Sequence, residues 1–156
     1  ATAMATPTAA PPATGEPEPV ASTAAIPVDK LGVIEFTRQS DGVAVPLAVE
    51  VPPRSEYSIG LSGRRELDER GMLFQYPSDT RGPFWMRNTH IDLSIAFVDG
   101  DGRVVEIREM TAESLDFVRP DSDYRFAVEA PAGWYALHGI EPGDVMLANF
   151  ELTPGE

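Results

Sequence analysis

A four-residue turn between two apolar runs constrains this chain more than any other part of its sequence. Asp99-Gly100-Asp101-Gly102 has the composition of a tight hairpin turn, because Asp and Gly tolerate the positive backbone φ angles that such turns need. Leu93, Ile95 and Phe97 alternate with other residues before it, and the apolar run 104–107 follows it. Alternation with a period of two is typical of a half-buried strand. The segment therefore predicts an antiparallel β-hairpin.

Short apolar runs separated by Gly, Pro and Asp recur along the rest of the chain. Pro46 lacks an N–H and interrupts one run, so that strand is expected to be an edge strand or to be bulged there. Pro131 and Gly139 suit the start and the stop of a helix. Helices are too few to provide parallel crossovers, so we expect an α+β domain on a curved, mainly antiparallel β-sheet, or a small barrel, with two short helices. The predicted strands are 33–36, 43–51, 71–76, 84–87, 93–98, 104–107, 124–130 and 145–150, and the predicted helices are 54–62 and 131–139.

The first 25 residues predict a linker rather than a folded segment. They contain nine Ala, five Thr and five Pro and no aromatic residue, so they have too little large apolar surface to offset the entropy of ordering. We expect a disordered linker over residues 1–28, one compact β-rich domain over 29–152 and a flexible C-terminus at 153–156. Such linkers are typical between an export signal or lipid anchor and a domain outside the cytoplasm. We therefore expect an exported protein, in the periplasm or at the cell surface, which this linker would tether if the protein is a lipoprotein. A cytosolic protein with an unstructured tail is the alternative.

The charge and the absence of cysteine narrow the classes of function. The net charge of −13 disfavours nucleic acid, whose phosphates require clustered Lys and Arg, and anionic membrane surfaces. With no cysteine, the chain has no disulfide, no Cys nucleophile and no thiolate zinc site. No apolar run approaches the roughly 20 residues of a membrane-spanning helix. We expect an acidic, soluble domain that inserts into no membrane and binds no nucleic acid.

Several motifs, which occur along the chain in the same order as in one known family, resemble the motifs of that family. Phe84-Trp85-Met86-Arg87-Asn88-Thr89 is similar to its Phe-Trp-Met-Lys-Asn-Thr core, with Arg for Lys. Gly60-Leu61-Ser62-Gly63-Arg64 is similar to its Gly-Leu-Met-x-Arg signature, with Ser62 where Met is usual. The remaining matches are residues 71–74, 95–99, 129–133, 139–140 and 143–144.

These motifs, over about residues 43–147, resemble domain of unknown function family 192, a group of uncharacterised and often exported bacterial and archaeal proteins. The resemblance implies a compact β-rich fold and supports export. It brings no established activity. The family often has Asp where this chain has Ser94, so no role of that carboxylate is carried over.

The family core, residues 83–89, also holds most of the candidate binding groups. On a strand, Phe84 and Met86 share one face, and Trp85 and Arg87 share the other. We expect the first pair to pack in the core and the second to border a shallow site. An indole face, a cationic fork and an amide suit a carboxylate or sugar ligand. The predicted ligand-binding residues are Arg64, Trp85, Arg87 and Asn88. A purely structural role for the stretch, with a turn at Asn88, is the alternative.

Other polar groups suggest chemistry that their spacing does not support. His90, Asp92 and Ser94 contain the residue types of a catalytic triad, but neighbours along one strand do not supply its geometry, so a solvent-facing polar stripe is expected. The Asp99–Asp101 pair is expected to form a turn and not a calcium site. His138 is expected to cap a helix. The paired carboxylates that could hydrolyse a glycoside would come from Glu106, Glu109, Asp116, Asp121 and Asp123, and acidic residues are too numerous for any pair to stand out.

The residues favour a non-catalytic extracytoplasmic domain that binds a small ligand or an envelope protein, and they predict no metal and no cofactor. One alternative is an envelope-associated hydrolase that uses His90, or a carboxylate with an arginine. The other is a structural accessory domain that docks onto a partner. The first predicts a perturbed His or carboxylate inside a pocket, and the second predicts a flat apolar patch.

Overall fold

The fold is built almost entirely from strands. The computed structural model describes residues 2–3, 31–65, 67, 69–150 and 152. Within them, seven strands form one sheet in the order β7-β6-β8-β4-β3-β2-β9, and β1 pairs separately with β5. The strands are β1 (Thr2–Ala3), β2 (Gly32–Thr37), β3 (Ala44–Glu50), β4 (Gly71–Thr80), β5 (Phe84–Trp85), β6 (Leu93–Val98), β7 (Val104–Met110), β8 (Tyr124–Pro131) and β9 (Val145–Ala148). The predicted linker and C-terminus lie outside the described residues, apart from β1.

The sheet is antiparallel except at one junction. β3 and β4 run parallel and pair only where Val49 lies opposite Gly71 and Glu50 opposite Met72. The expected small barrel is wrong, because the outer strands β7 and β9 meet at a single bridge between Arg103 and Val145 and do not pair along their lengths. The expected sheet, mainly antiparallel, is confirmed.

The prediction of two short helices holds only in part, because the described residues contain one short α-helix and one 3₁₀ turn, and the fold is mostly β. The first reduces to a 3₁₀ turn at Arg54–Glu56 followed by successive turns, because Gly60 and Gly63 take positive φ angles of 51° and 84° that interrupt a helix. The second reduces to one short α-helix, α1 (Trp134–Leu137). Pro131 ends strand β8, where it pairs with Leu93, and does not open a helix. Among the described residues, no helix is long and apolar enough to span a membrane.

The predicted hairpin and the effect of Pro46 are both visible. The Asp99 carboxylate accepts hydrogen bonds from the N–H groups of Asp101 and Arg103 at 2.9 Å each, and Gly102 has a φ of 88°. Pro46 pairs with Glu35 on its β2 side. On the other side, β3 meets β4 only at its last two residues, so the proline lies where no ladder hydrogen bond is needed on that edge.

Both faces of the sheet are covered by apolar side chains, because the strands β4, β6 and β8 alternate between two clusters. Met72 and Phe74 of β4 belong to one cluster, whereas Leu73 between them belongs to the other. Phe84 and Met86 join the first cluster, and this face therefore lies under the family core. Glu129 shares the register of Met72 and Ile95, which points its side chain to the same face.

Candidate functional site

The side chains of the β5 segment alternate between core and surface. Phe84 and Met86 are 0% and 1% exposed, which confirms that this pair packs inward. Trp85 is half-buried and Arg87 is exposed. The Arg87 guanidinium lies 5.5 Å from the centre of the Trp85 ring, within the distance of a cation–π contact. None of the ion pairs between described residues involves Arg87.

A segment that the sequence left unassigned completes this surface. The N–H of Phe84 donates to the carbonyl of Val118 at 2.9 Å, and the N–H of Val118 donates back at 2.7 Å. This pairing brings Phe117 beside Trp85, with ring centres 5.8 Å apart. Phe117 is 54% exposed and Leu115 is 66% exposed. We call Trp85, Arg87 and Phe117, together with Leu115 two residues before Phe117 in the chain, the Trp85 patch. The sequence signal that could have identified Leu115 and Phe117 is that they are two large apolar residues in an otherwise polar stretch.

His90 and Glu113 hold this segment in place. The His90 Nδ1 contacts the Glu113 carboxylate, and the Glu113 N–H donates to the carbonyl of Thr89 at 2.9 Å. The Met86 N–H donates to the carbonyl of Ser114 at 3.2 Å. These contacts tie the start of the segment to the strand end that carries Arg87, so they position the Trp85 patch.

Asn88 lies at the surface next to Arg87, and the hydrogen bonds described for it are made by its backbone carbonyl. It has a φ of 60°, a left-handed conformation that asparagine tolerates better than most residues. Its carbonyl accepts the Gly63 N–H at 2.7 Å and the Ser62 hydroxyl at 3.4 Å. The side chain is exposed and adjoins the Trp85 patch through the chain. Asn88 therefore joins two of the family motifs.

The Arg64 side chain is buried and is bound within the fold. It is 8% exposed, and its two terminal nitrogens each lie 2.7 Å from one oxygen of Glu50. Arg70 also contacts Glu50, at 3.3 Å. Glu50 itself is 1% exposed. This bidentate arrangement fixes the end of β3 against the turns before β4 and holds the Arg64 guanidinium at Glu50, although the backbone of the preceding residue, Gly63, contacts Asn88.

The triad residue types are dispersed among different partners. His90 contacts Glu113, while the Asp92 carboxylate accepts the Ala112 N–H at 2.8 Å. The Ser94 hydroxyl donates to Glu109 at 2.5 Å. Ser94 is fully buried, so the expected solvent-facing stripe is wrong at that residue.

Ser94 and Glu109 both accept a hydrogen bond from the same backbone N–H, that of Gly133. They lie opposite each other on β6 and β7. The Gly133 N–H donates to the Ser94 hydroxyl at 2.8 Å and to Glu109 at 3.3 Å. The Glu109 carboxylate on the neighbouring strand thus accepts from both the Ser94 hydroxyl and the Gly133 N–H. The arrangement anchors the turn before α1.

Among the described residues, Glu129 is the most deeply buried carboxyl group, and the sequence patterns had not predicted a role for it. It is 0% exposed, and burial raises its pKa from 4.5 to about 7. A Cβ atom on Gly71 would lie 2.3 Å from the Glu129 carbonyl oxygen, so this part of β4 accepts only glycine without a shift. The sequence signal was a lone carboxylate among the apolar residues of β8.

Other polar groups have structural partners. The His138 Nδ1 contacts the carbonyl of Trp134 at 2.9 Å, which confirms the predicted helix cap. Glu106 accepts from the backbone of Asp121 and pairs with Arg108. Within the described ranges, no group of three or more His, Asp or Glu residues could hold a metal ion.

Comparison with known proteins places the chain among uncharacterised relatives. The family model DUF192, Uncharacterized ACR, matches residues 36–148. A protein of unknown function from Novosphingobium aromaticivorans is 31% identical, with a TM-score of 0.71 over 82% of this chain and 94% of that one. A Sinorhizobium meliloti protein, whose name proposes a transcription regulator, is 26% identical, with a TM-score of 0.70 over 82% of this chain and 96% of that one. No curated protein is significantly similar.

Proposed function

This chain belongs to the DUF192 family, and we propose that it is a non-catalytic domain that binds a protein partner through the Trp85 patch. The single observation that carries the proposal is the exposed ring of Phe117 beside Trp85, with the Arg87 guanidinium over the indole. Aromatic residues and arginine dominate the binding energy of protein interfaces. Exposed apolar side chains that lie together are typical of such surfaces.

A protein partner fits this surface better than a small ligand. The patch presents side chains that are half-buried to largely exposed, whereas a small-molecule site buries most of its ligand in a concave cavity. Arg87 adds a cation that would pair with a carboxylate of the partner. Asn88, at the margin, would contribute an amide. Arg64, held by Glu50, would support the site only through the fold.

The proposed location outside the cytoplasm rests on the first 25 residues, whose Ala, Thr and Pro content is typical of linkers that follow an export signal or lipid anchor. Fractionation of cells that express the full gene product with a C-terminal epitope tests this location. Recovery in the periplasmic or membrane fraction is expected, and recovery only in the cytosol would contradict it.

The hydrolase alternative has less support. His90 contacts Glu113 across an exposed pair of segments, and Ser94 is buried against Glu109. Glu106 accepts backbone N–H groups. These arrangements hold loops and strands together. The Ser94 hydroxyl does contact a carboxylate, but it is fully buried and also accepts the Gly133 N–H, so it is not exposed to a substrate.

Nucleic acid is also disfavoured as the partner. One structural relative has a name that proposes a transcription regulator. The present chain carries a net charge of −13, and a polyanion repels DNA unless cations cluster on one face. We expect no measurable affinity for duplex DNA at physiological salt.

Photo-crosslinking tests the binding surface directly. A photoreactive amino acid replaces Phe117 in one variant and Leu137 in another, since Leu137 is 80% exposed and lies outside the Trp85 patch. Irradiation of expressing cells is expected to give a discrete adduct from position 117 and not from position 137, and Arg87→Ala is expected to weaken that adduct. Equal adducts from both positions, or none from position 117, would contradict the proposal.

A further inference from the structure

The backbone groups of Trp85 point to the edge of β5 that is opposite to the Val118 segment. Phe84 exchanges hydrogen bonds with Val118, at 2.9 and 2.7 Å, and the Met86 N–H donates to Ser114 on the same side. Along a strand, the backbone groups of successive residues point to opposite edges. The N–H and C=O of Trp85 therefore point away from the Val118 segment.

That opposite edge is occupied by residues from the start of the chain. β1 runs antiparallel to β5, with Thr2 opposite Trp85 and Ala3 opposite Phe84. Because Trp85 directs both of its backbone groups toward β1, Thr2 and Trp85 form a hydrogen-bonded pair, and Ala3 and Phe84 form a non-hydrogen-bonded pair. Thr2 is 3% exposed, so the position opposite Trp85 encloses a small side chain.

We propose that the Trp85 edge of β5 is an acceptor for one extended peptide segment with a small side chain opposite Trp85, and that Thr2–Ala3 occupies this edge when no partner is bound. The inference rests on the proposed function and specifies its partner as a peptide that adds a strand. In strand addition, main-chain hydrogen bonds provide affinity, and the enclosed side-chain position provides specificity. The Trp85 patch lies beside the same residue and would contact the flanking part of the peptide.

The occupant is short enough to be displaced. β1 contains two residues, and an isolated two-stranded ribbon is marginally stable in water. A longer peptide would gain further main-chain bonds and contacts with Phe117 and Arg87. Thr2–Ala3 thus protects a strand edge that would otherwise be open to unselective pairing.

Two adjacent proline substitutions in the full chain test the register. Thr2→Pro removes the N–H that faces Trp85, whereas Ala3→Pro removes an N–H that points away from β5. The measurement is amide hydrogen exchange at Trp85. We expect Thr2→Pro to speed exchange at least about tenfold, because loss of the bond from the Thr2 N–H to the Trp85 carbonyl releases β1, and with it the Thr2 carbonyl that accepts from the Trp85 amide. Ala3→Pro is expected to change the exchange rate less than about twofold. Equal effects of the two prolines, or an unprotected Trp85 amide in the unmodified chain, would overturn the inference.

A synthetic peptide, Ala-Thr-Ala-Met-Ala-Thr, tests acceptance in trans. Added to the Thr2→Pro variant, it is expected to slow exchange at Trp85 again. No protection at peptide concentrations up to about 1 mM would overturn the inference. The double variant Leu115→Ser/Phe117→Ser keeps the backbone bonds of β5 and is expected to retain the Trp85 protection. If crosslinking at position 117 fails while this exchange pattern is observed, the proposed function is overturned and the strand-addition inference stands. If crosslinking succeeds while the exchange pattern is absent, only the strand-addition inference is overturned.

Discussion

Arg64 and Arg87 belong to the same run of family motifs, yet they lie in opposite environments. Arg64 is buried and bound at both terminal nitrogens by Glu50. Arg87 is exposed and lies over the ring of Trp85. An ionised side chain can be buried only when a partner compensates its desolvation. The difference shows that Arg64 is held within the fold and that Arg87 is exposed, and the role of Arg87 in recognition is the proposal that rests on it. The predictions below test this division, from the largest expected effect to the smallest.

Removing Arg64 should have the largest effect on stability. Arg64→Ala leaves Glu50 buried with only the 3.3 Å contact to Arg70 among the contacts described above. Breaking a buried pair costs about 3–5 kcal/mol of unfolding free energy, measured by urea denaturation. The double variant Glu50→Met/Arg64→Met is the control, and it should be more stable than Arg64→Ala because no charge is left unpaired. If Arg64→Ala lowers the unfolding free energy by less than about 1 kcal/mol, the pair contributes no more than an exposed salt bridge, which would contradict the structural role of Arg64.

Glu129 should make stability fall between acidic and neutral pH. Its folded pKa of about 7 lies above the ordinary value of 4.5, so the folded state favours the protonated carboxyl. The stability it contributes is fully present below pH 4.5 and is lost as the pH rises through 7, by roughly 3 kcal/mol in total.

Glu129→Gln provides the matched comparison. The variant should equal the unmodified chain in unfolding free energy near pH 4.5 and exceed it increasingly up to about pH 7. Denaturation at several pH values measures this difference. A constant difference across that range would show that burial does not perturb Glu129.

Trp85 should contribute less to stability than its neighbour in sequence. Trp85 is half-buried and Phe84 is fully buried. Phe84→Ala should cost about 3–5 kcal/mol, and Trp85→Ala about 1–2 kcal/mol, with the latter also abolishing the adduct at position 117. If Trp85→Ala destabilises as much as Phe84→Ala, Trp85 is a core residue and the Trp85 patch is not a binding surface.

Arg87 should matter least for folding. An exposed cation–π contact contributes about 0.5–1 kcal/mol, so Arg87→Ala should change the unfolding free energy by no more than that. Arg87→Lys keeps the charge and is the control for the planar fork. A loss above about 2 kcal/mol would contradict the exposed position of this side chain.

Local patterns predicted the parts of the fold that depend on neighbouring residues. The Asp99-Gly100-Asp101-Gly102 hairpin and the inward direction of Phe84 and Met86 follow from turn chemistry and from strand alternation. Export and the binding residues stay predictions. The first predicted helix is absent because Gly60 takes a positive φ, and the second is shorter than predicted because Pro131 is used by a strand.

Contacts between distant segments could not be predicted in the same way. Arg64 binds Glu50 across the parallel junction of β3 and β4, and neither periodicity nor composition encodes that pairing. Phe117 reaches Trp85 only because Val118 bonds to Phe84. The segment around it lacks regular alternation, so its position depends on tertiary hydrogen bonds.

The crosslinking yield at position 117, compared between two backgrounds, tests most directly whether the two arginines have separate roles. The Glu50→Met/Arg64→Met background removes the buried pair, and the Arg87→Ala background removes the exposed cation. With both variants folded, the adduct should persist in the first background and be lost or strongly reduced in the second. Loss of the adduct in the first background, with retention in the second, would contradict the assignment of recognition to Arg87 and of structure to Arg64.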